Sequence, residues 1–159
     1  MIENAQASTE MRRQFITFRT GDQEFGADIM TIREIRGWTP TTPLPHAPEF
    51  VRGVINLRGA VVPVVDLKCR LGRGQTEATA KHVIIVVRCG QRTIGLLVDA
   101  VSDIMTVTSA DIQATPELAR DVHSQLVDGI AVLDQRMVTV LSMERLTASL
   151  TGMQSTLAA

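Results

Sequence analysis

The sequence predicts a mostly β fold in which a five-strand unit occurs twice, forming two small barrels around one shared apolar core. Three observations carry this. Short runs rich in Val, Ile and Phe alternate with turn residues, the pattern of half-buried strands joined by hairpins. The second half repeats the first: Gln14–Ile35 aligns on Val83–Ile104 without a gap at an offset of 69, and Phe50–Leu67 aligns on Leu126–Met143 at an offset of 76. Finally, 45% of the 159 residues are hydrophobic, enough for a real core, whereas one repeat of about 65–70 residues buries too little surface to stand alone.

The elements follow in order. Residues 1–13 read as a flexible tail. Gln14–Arg19 is a strand, Gly21-Asp22 a turn, and Glu24–Ile29 the returning strand. Ile32–Trp38 is extended and stops before Pro40, Pro43, Pro45 and Pro48, which cannot donate to a ladder. Phe50–Asn56 and Val61–Val65 form a hairpin around Arg58-Gly59. Asp66–Leu71 reads as one helical turn capped by Asp66. Gly72–Thr79 is polar and loose, a linker between a first barrel (mainly 14–71) and a second (mainly 81–142). In the second half Arg19, Gly21, Gly26 and Ile35 recur as Arg88, Gly90, Gly95 and Ile104, and Glu34 falls on Asp103. Val51, Gly53, Leu57, Val62 and Val64 recur as Val127, Gly129, Leu133, Val138 and Val140. A longer connection holds Ser109–Gln125, with a helix-start signal at Ser109-Ala-Asp111. A closing helix over about 142–150 spaces Met143, Leu146 and Leu150 helically. Residues 152–159 read as a second tail.

Composition excludes several functions. Sixteen basic and seventeen acidic residues give a net charge of −1, against the clustered cations that a phosphate backbone demands. Four Phe, one Trp and no Tyr supply few platforms for base stacking. These two facts argue against a nucleic-acid-binding barrel. The longest apolar runs are strand-length, so no membrane insertion is expected. Met1–Gln14 has no apolar signal core, and Cys69 and Cys89 form no framework; the expectation is a reduced, cytoplasmic protein.

Catalytic and metal-binding patterns are missing from the sequence. His46, His82 and His123 lie in unrelated contexts, without ligand spacing. Gly72-Arg73-Gly74 lacks the strand–helix setting of a phosphate loop. Asp66 and Asp99 read as caps or turn residues, and the two cysteines as small half-buried side chains. No cofactor is expected, and the rival reading as a small enzyme lacks converging titratable groups.

Two stretches stand out. In Gly53-Val-Ile-Asn-Leu-Arg-Gly59 the last glycine supplies a positive φ and Arg58 is thrown out at a strand end, where its planar fork can anchor a partner. The simpler reading is a solvated turn arginine. In Asp28–Gly37, Ile29, Ile32 and Ile35 recur every three residues with charge between them. They are either all core, the simpler reading, or leave one isoleucine at a groove suited to an amphipathic helix.

The same residues resemble the CheW family of chemotaxis coupling proteins. The likeness rests on Glu34-Ile-Arg-Gly37, Phe50-Val-Arg-Gly-Val-Ile-Asn-Leu-Arg-Gly59, Val62-Pro-Val-Val-Asp-Leu67 and Ile94-Gly-Leu-Leu-Val-Asp-Ala-Val-Ser-Asp103, and covers about 13–150. It implies two intertwined five-strand SH3-like barrels and a non-enzymatic adaptor. The implied partners are the cytoplasmic tip of methyl-accepting chemoreceptors, the regulatory domain of the histidine kinase CheA, and other CheW-like domains in rings. It implies receptor contact in a groove between barrels at Ile32, Glu34, Gly53 and Arg58. It implies kinase or ring contact along Ile112–Leu118, where Gln113 and Leu118 stand in place of the basic residue and aromatic frequent in the family. On this reading Gly53→Asp and Arg58→Ala spare the fold and weaken receptor binding. An adaptor whose output is not flagellar, such as one governing surface motility, fits the same motifs.

Overall fold

Each repeat opens with a hairpin, and the two hairpins have changed places. The computed structural model describes residues 12–114 and 123–150. The first repeat forms β1 (Arg12–Thr20), β2 (Gln23–Asp28), β3 (Ile32–Gly37), β4 (Val51–Leu57) and β5 (Ala60–Asp66), then a short helix, Leu67–Arg70. The second forms β6 (Val83–Cys89), β7 (Arg92–Val98), β8 (Ala100–Thr108), the two-residue β9 (Ile112–Gln113), β10 (Val127–Leu133) and β11 (Arg136–Leu141), then a closing helix, Met143–Ala148. Two sheets result, in the orders β8-β1-β2-β11-β10-β9 and β3-β6-β7-β5-β4. The outer strands of each sheet, β8 with β9 and β3 with β4, are consecutive in the chain. In each sheet, then, one connection joins the two edge strands.

The expected division into a barrel of mainly 14–71 and another of mainly 81–142 needs correction. β1–β2 belongs to the sheet of β8–β11, and β6–β7 to the sheet of β3–β5. The cause is apolar surface on both faces of each hairpin. Phe15 packs with Met105, Val107, Ala131, Val138 and Val140 inside the six-stranded sheet. Phe18, Phe25 and Ala27 face a central cluster with Val65, Ile85, Val87, Leu96 and Leu146. Ile84, Val86 and Leu97 likewise fill the five-stranded sheet with Ile55, Leu57, Val62 and Val64. Exchange covers both faces of both hairpins, and intertwining is what the family likeness implied. The exchanged hairpins join by parallel pairing, Val140 beside Gly26 and Val64 beside Gly95. A β-carbon on Gly95 would lie 2.8 Å from Ile84 Cγ2, and one on Gly26 3.1 Å from Val138 Cγ1. The matched glycines thus mark matched crossings.

The duplication extends to single hydrogen bonds. Asp66 and Ser142 occupy equivalent positions, and each caps its helix by accepting from the backbone N–H three residues on, at Cys69 and Arg145. Their own amides donate to Phe50 O at 2.7 Å and Leu126 O at 2.8 Å. The helix start expected at Ser109 is only a 3₁₀ turn, Ser109–Asp111, because the chain must turn at once into β9.

Element ends move by a residue or two. Arg12 and Arg13, read as tail, belong to β1 because β8 runs on to Thr108 and offers them partners. Residues 1–11 and 151–159 lie outside the described residues. The linker is pinned: Asp66, fully buried, accepts from the Thr76 amide and hydroxyl at 2.7 Å each, and Arg52 Nη1 donates to Thr76 O at 2.8 Å. A polar Thr in a loose, glycine-containing run carries no signal of this.

Candidate partner-docking site

The β4–β5 hairpin closes through two residues with positive φ, Arg58 at 52° and Gly59 at 89°. That is the type I′ turn, whose twist matches the flanking strands. Asn56 Oδ1 accepts from Gly59 N at 2.8 Å and fixes the turn. Arg58 is thereby held clear of the sheet, its side chain 80% exposed. Its fork reaches back to β3, where Nη1 and Nη2 donate to Glu34 Oε1 and Oε2 at 3.3 and 3.2 Å. β3 carries a bulge between Ile32 and Glu34, which turns Arg33 outward and aims Glu34 at the hairpin. An exposed pair of this length is worth about 0.2–1 kcal/mol, so it orients Arg58 without committing it.

This corner opens on a groove of about 460 Å³ lined by Arg33, Glu34, Arg58, Val61, Arg88 and Arg92, among others. The groove lies along the rim of the five-stranded sheet. Its expected residues separate into three groups. Glu34 and Arg58 meet at the groove. Ile32 is half-buried at the start of β3 and packs on the central core. Gly53 is buried on β4, at φ 141°, where a β-carbon would stand 2.3 Å from Thr42 O. Gly53 therefore admits the Thr42 backbone, which bridges Val54, and presents no surface of its own. This corrects the expectation that Gly53→Asp spares the fold. Among Ile29, Ile32 and Ile35, the exposed one is Ile35, at 44%. Gln113 is exposed on β9, paired by backbone with Ile130; Leu118 lies outside the described residues.

Sequence reading missed Arg33, Val61, Arg88 and Arg92. Arg88 and Arg92 arrive on the exchanged hairpin, so only the topology brings them beside Arg58. Val61, 71% exposed, could have been flagged as a hydrophobe next to a turn.

The equivalent corner of the six-stranded sheet is built differently. It keeps the bulge, with Ser102, the counterpart of Arg33, as the extra residue facing the Thr17–Phe18 step, but not the charge. Asp103, the counterpart of Glu34, is gripped by Arg136 through bonds of 2.7 and 3.1 Å. Arg136 also donates to Glu24 at 2.6 and 2.8 Å and to the buried Thr17 hydroxyl at 3.0 Å. Four strands, β1, β2, β8 and β11, are thus tied at one guanidinium. The hydrogen bonds from Arg136 and then Thr17 hold the Asp103 carboxyl down at about 2, from an ordinary 3.8. Arg136 likewise lowers Glu24. A depressed carboxyl stabilises the fold fully above its unfolded value and loses that contribution as pH falls through its folded one. Arg136→Leu is therefore expected to be less stable than the parent at pH 7, with the gap narrowing between pH 4 and 2. Urea midpoints across that range check it, and a gap independent of pH overturns it.

Away from these corners, His82 and Asp99 hold loops in place. His82 Nδ1 accepts from Thr79 N at 3.0 Å, and its Nε2 lies 3.3 Å from Asp99 Oδ1; Asp99 also accepts from Gly21 N at 2.9 Å. His46 sits exposed in its proline-rich turn, and His123 begins a 3₁₀ turn, His123–Leu126. Burial pushes both cysteine thiols up, away from nucleophilic use. Among the described residues, no His, Cys, Asp or Glu cluster could hold a metal, and no helix is long and apolar enough to cross a membrane.

A duplicated β module offering a rigid arginine at a groove belongs to the class of interaction scaffolds. The model of the CheW-like domain matches residues 14–151, and the chain belongs to that family, whose role is that of a scaffold or adaptor in chemotaxis signalling. Among curated relatives, the chemotaxis protein CheW of Rhizobium meliloti (strain 1021) is 51% identical over 144 residues, covering 91% of this chain and 93% of that protein. The probable chemotaxis protein CheW of Rhizobium etli is 54% identical over 134 residues, covering 84% and 86%. The crystal structure of the scaffolding protein TtCheW from Thermoanaerobacter tengcongensis superposes with a TM-score of 0.75 at 32% identity, covering 84% of this chain and 86% of that one.

Proposed function

We propose that this chain is a non-enzymatic, cytoplasmic adaptor that couples the tips of chemoreceptors to the kinase CheA and so places autophosphorylation under receptor control. The observation that carries the reading is Arg58, set on a fixed turn, four-fifths exposed, and held by Glu34 at the mouth of a groove. One helix of a receptor hairpin lies against the rim with its apolar face on Val61, while Arg58 sets its register. Ile32 and Gly53 act from beneath, by shaping β3 and β4. Gln113 and the connection toward Leu118 carry contacts to the kinase or to other CheW-like domains in rings. Each contact is modest, and multivalency in an array supplies the tight complex. Signalling is then a shift between kinase-on and kinase-off populations.

The test is co-sedimentation of the full chain with a receptor cytoplasmic fragment and CheA, reading kinase activity. Arg58→Ala is expected to keep the parent circular dichroism spectrum and to weaken receptor binding about tenfold, the effect of losing roughly 1.4 kcal/mol. Unchanged affinity in a folded variant overturns the docking assignment.

A further inference from the structure

Resting on that docking reading, we infer that the groove recognises the acidic face of a helix, and that Arg33, Arg88 and Arg92 act with Arg58 to read it. Of the charged residues lining the groove, four are arginines and one, Glu34, is a carboxylate. They share the groove with Val61, 71% exposed, so cationic side chains accompany an exposed apolar contact. They also come from four separate places in the chain: the β3 bulge, the β4–β5 turn, the end of β6 and the start of β7.

The fold does not require this charge. At the equivalent places of the duplicated unit stand Ser102 for Arg33, Asp134 for Arg58 and Gln23 for Arg92; only Arg88 keeps its type, as Arg19. Asp134 even shares the positive φ of Arg58, at 57°. The same backbone is thus built twice, once with the arginines and once with three of them replaced. Glu34 engages the Arg58 fork, and among the described residues Arg88 bonds through its Nε, donating to Gly90 O at 3.0 Å. Among the described residues, the terminal nitrogens of Arg88 meet no carboxylate.

The matching partner is a helix carrying carboxylates three or four residues apart beside an apolar residue. That spacing sets neighbouring acids about 5–6 Å apart on one face. Planar guanidinium forks pair such acids bidentately, and the attraction weakens as salt screens it.

The experiment is calorimetric titration of the full chain with a receptor cytoplasmic fragment at low and at high sodium chloride. The parent is expected to lose at least tenfold in affinity at high salt. The double variant Arg88→Gln/Arg92→Gln, folded by circular dichroism, is expected to bind at least tenfold more weakly at low salt and to change little with salt. Arg33→Gln, at an exposed bulge where Ser102 serves the other repeat, repeats the test should the double variant misfold. Arg19→Gln, exposed on β1 of the six-stranded sheet, is expected to behave as the parent. Parent-like affinity and salt dependence in the Arg88/Arg92 or Arg33 variants overturn the inference and leave the docking reading standing. A fragment that fails to bind the parent at either salt overturns the docking reading itself.

Discussion

Replacing Gly53 by alanine is expected to remove about 2–6 kcal/mol of folding stability. Two costs combine. At φ 141° an L side chain is strained, a cost of about 1–3 kcal/mol. Its β-carbon would also lie 2.3 Å from Thr42 O and 2.8 Å from Thr42 C. Both neighbours are backbone and cannot swing away, so β4 and the Thr42 segment must separate, with overpacking costing about 1–3 kcal/mol more. Gly37→Ala is the control. It lies on β3 with nothing within 4 Å of the new β-carbon, and is expected to change stability by no more than about 0.5 kcal/mol. Urea unfolding of the two variants checks this, and equal midpoints would remove the close-approach account. It follows that a Gly53→Asp protein failing to capture receptor has lost the shape of β4 first, so binding must be scaled to the folded fraction.

Phe18→Ala is expected to cost about 3–5 kcal/mol, the range for emptying a buried aromatic site, and to lower Tm by about 6–20 °C. Phe18 is fully buried, stacks on Phe25 with ring centroids 6.1 Å apart, and sits in the central cluster. Its strand belongs to the six-stranded sheet, whereas the single tryptophan, Trp38, packs on the interior of the five-stranded sheet. Both sheets lean on the central cluster, so they should melt together. Trp38 fluorescence and far-ultraviolet circular dichroism should report one coincident transition, lowered equally by Phe18→Ala. A tryptophan transition that stays at the parent midpoint would show that the modules unfold independently.

Much of this was legible in the residues. Strand runs, the Asp66 cap and the closing helix follow from local pattern, and the structure moves their ends by one or two residues. The repeat was legible because its glycines match, and the structure gives them matching work at the parallel crossings. The exchange of hairpins was not legible from periodicity, since Phe15 and Phe18 announce burial on two faces without naming the neighbour on each. The Arg58–Glu34 corner was visible as a motif, because both residues lie near features that aim side chains: a tight turn and a bulge. Arg33, Arg88 and Arg92 were not, because a solvated arginine and a partner-reading arginine look alike until topology brings them to one rim. Gly53 was noticed, but the pressure on it comes from Thr42, eleven residues earlier, across a proline-rich segment that has no period.

The hairpin exchange also bears on how the chain is made. Synthesis delivers β1 and β2 first, yet β1 needs β8 on one side and β2 needs β11 on the other. The earliest hairpin therefore waits for the last strand, and a nascent polypeptide carries Phe15, Phe18 and Phe25 uncovered through most of translation. Full cover comes only with β11 and the closing helix, because Leu141, Met143, Leu146 and Leu150 belong to the cluster that buries Phe18 and Phe25.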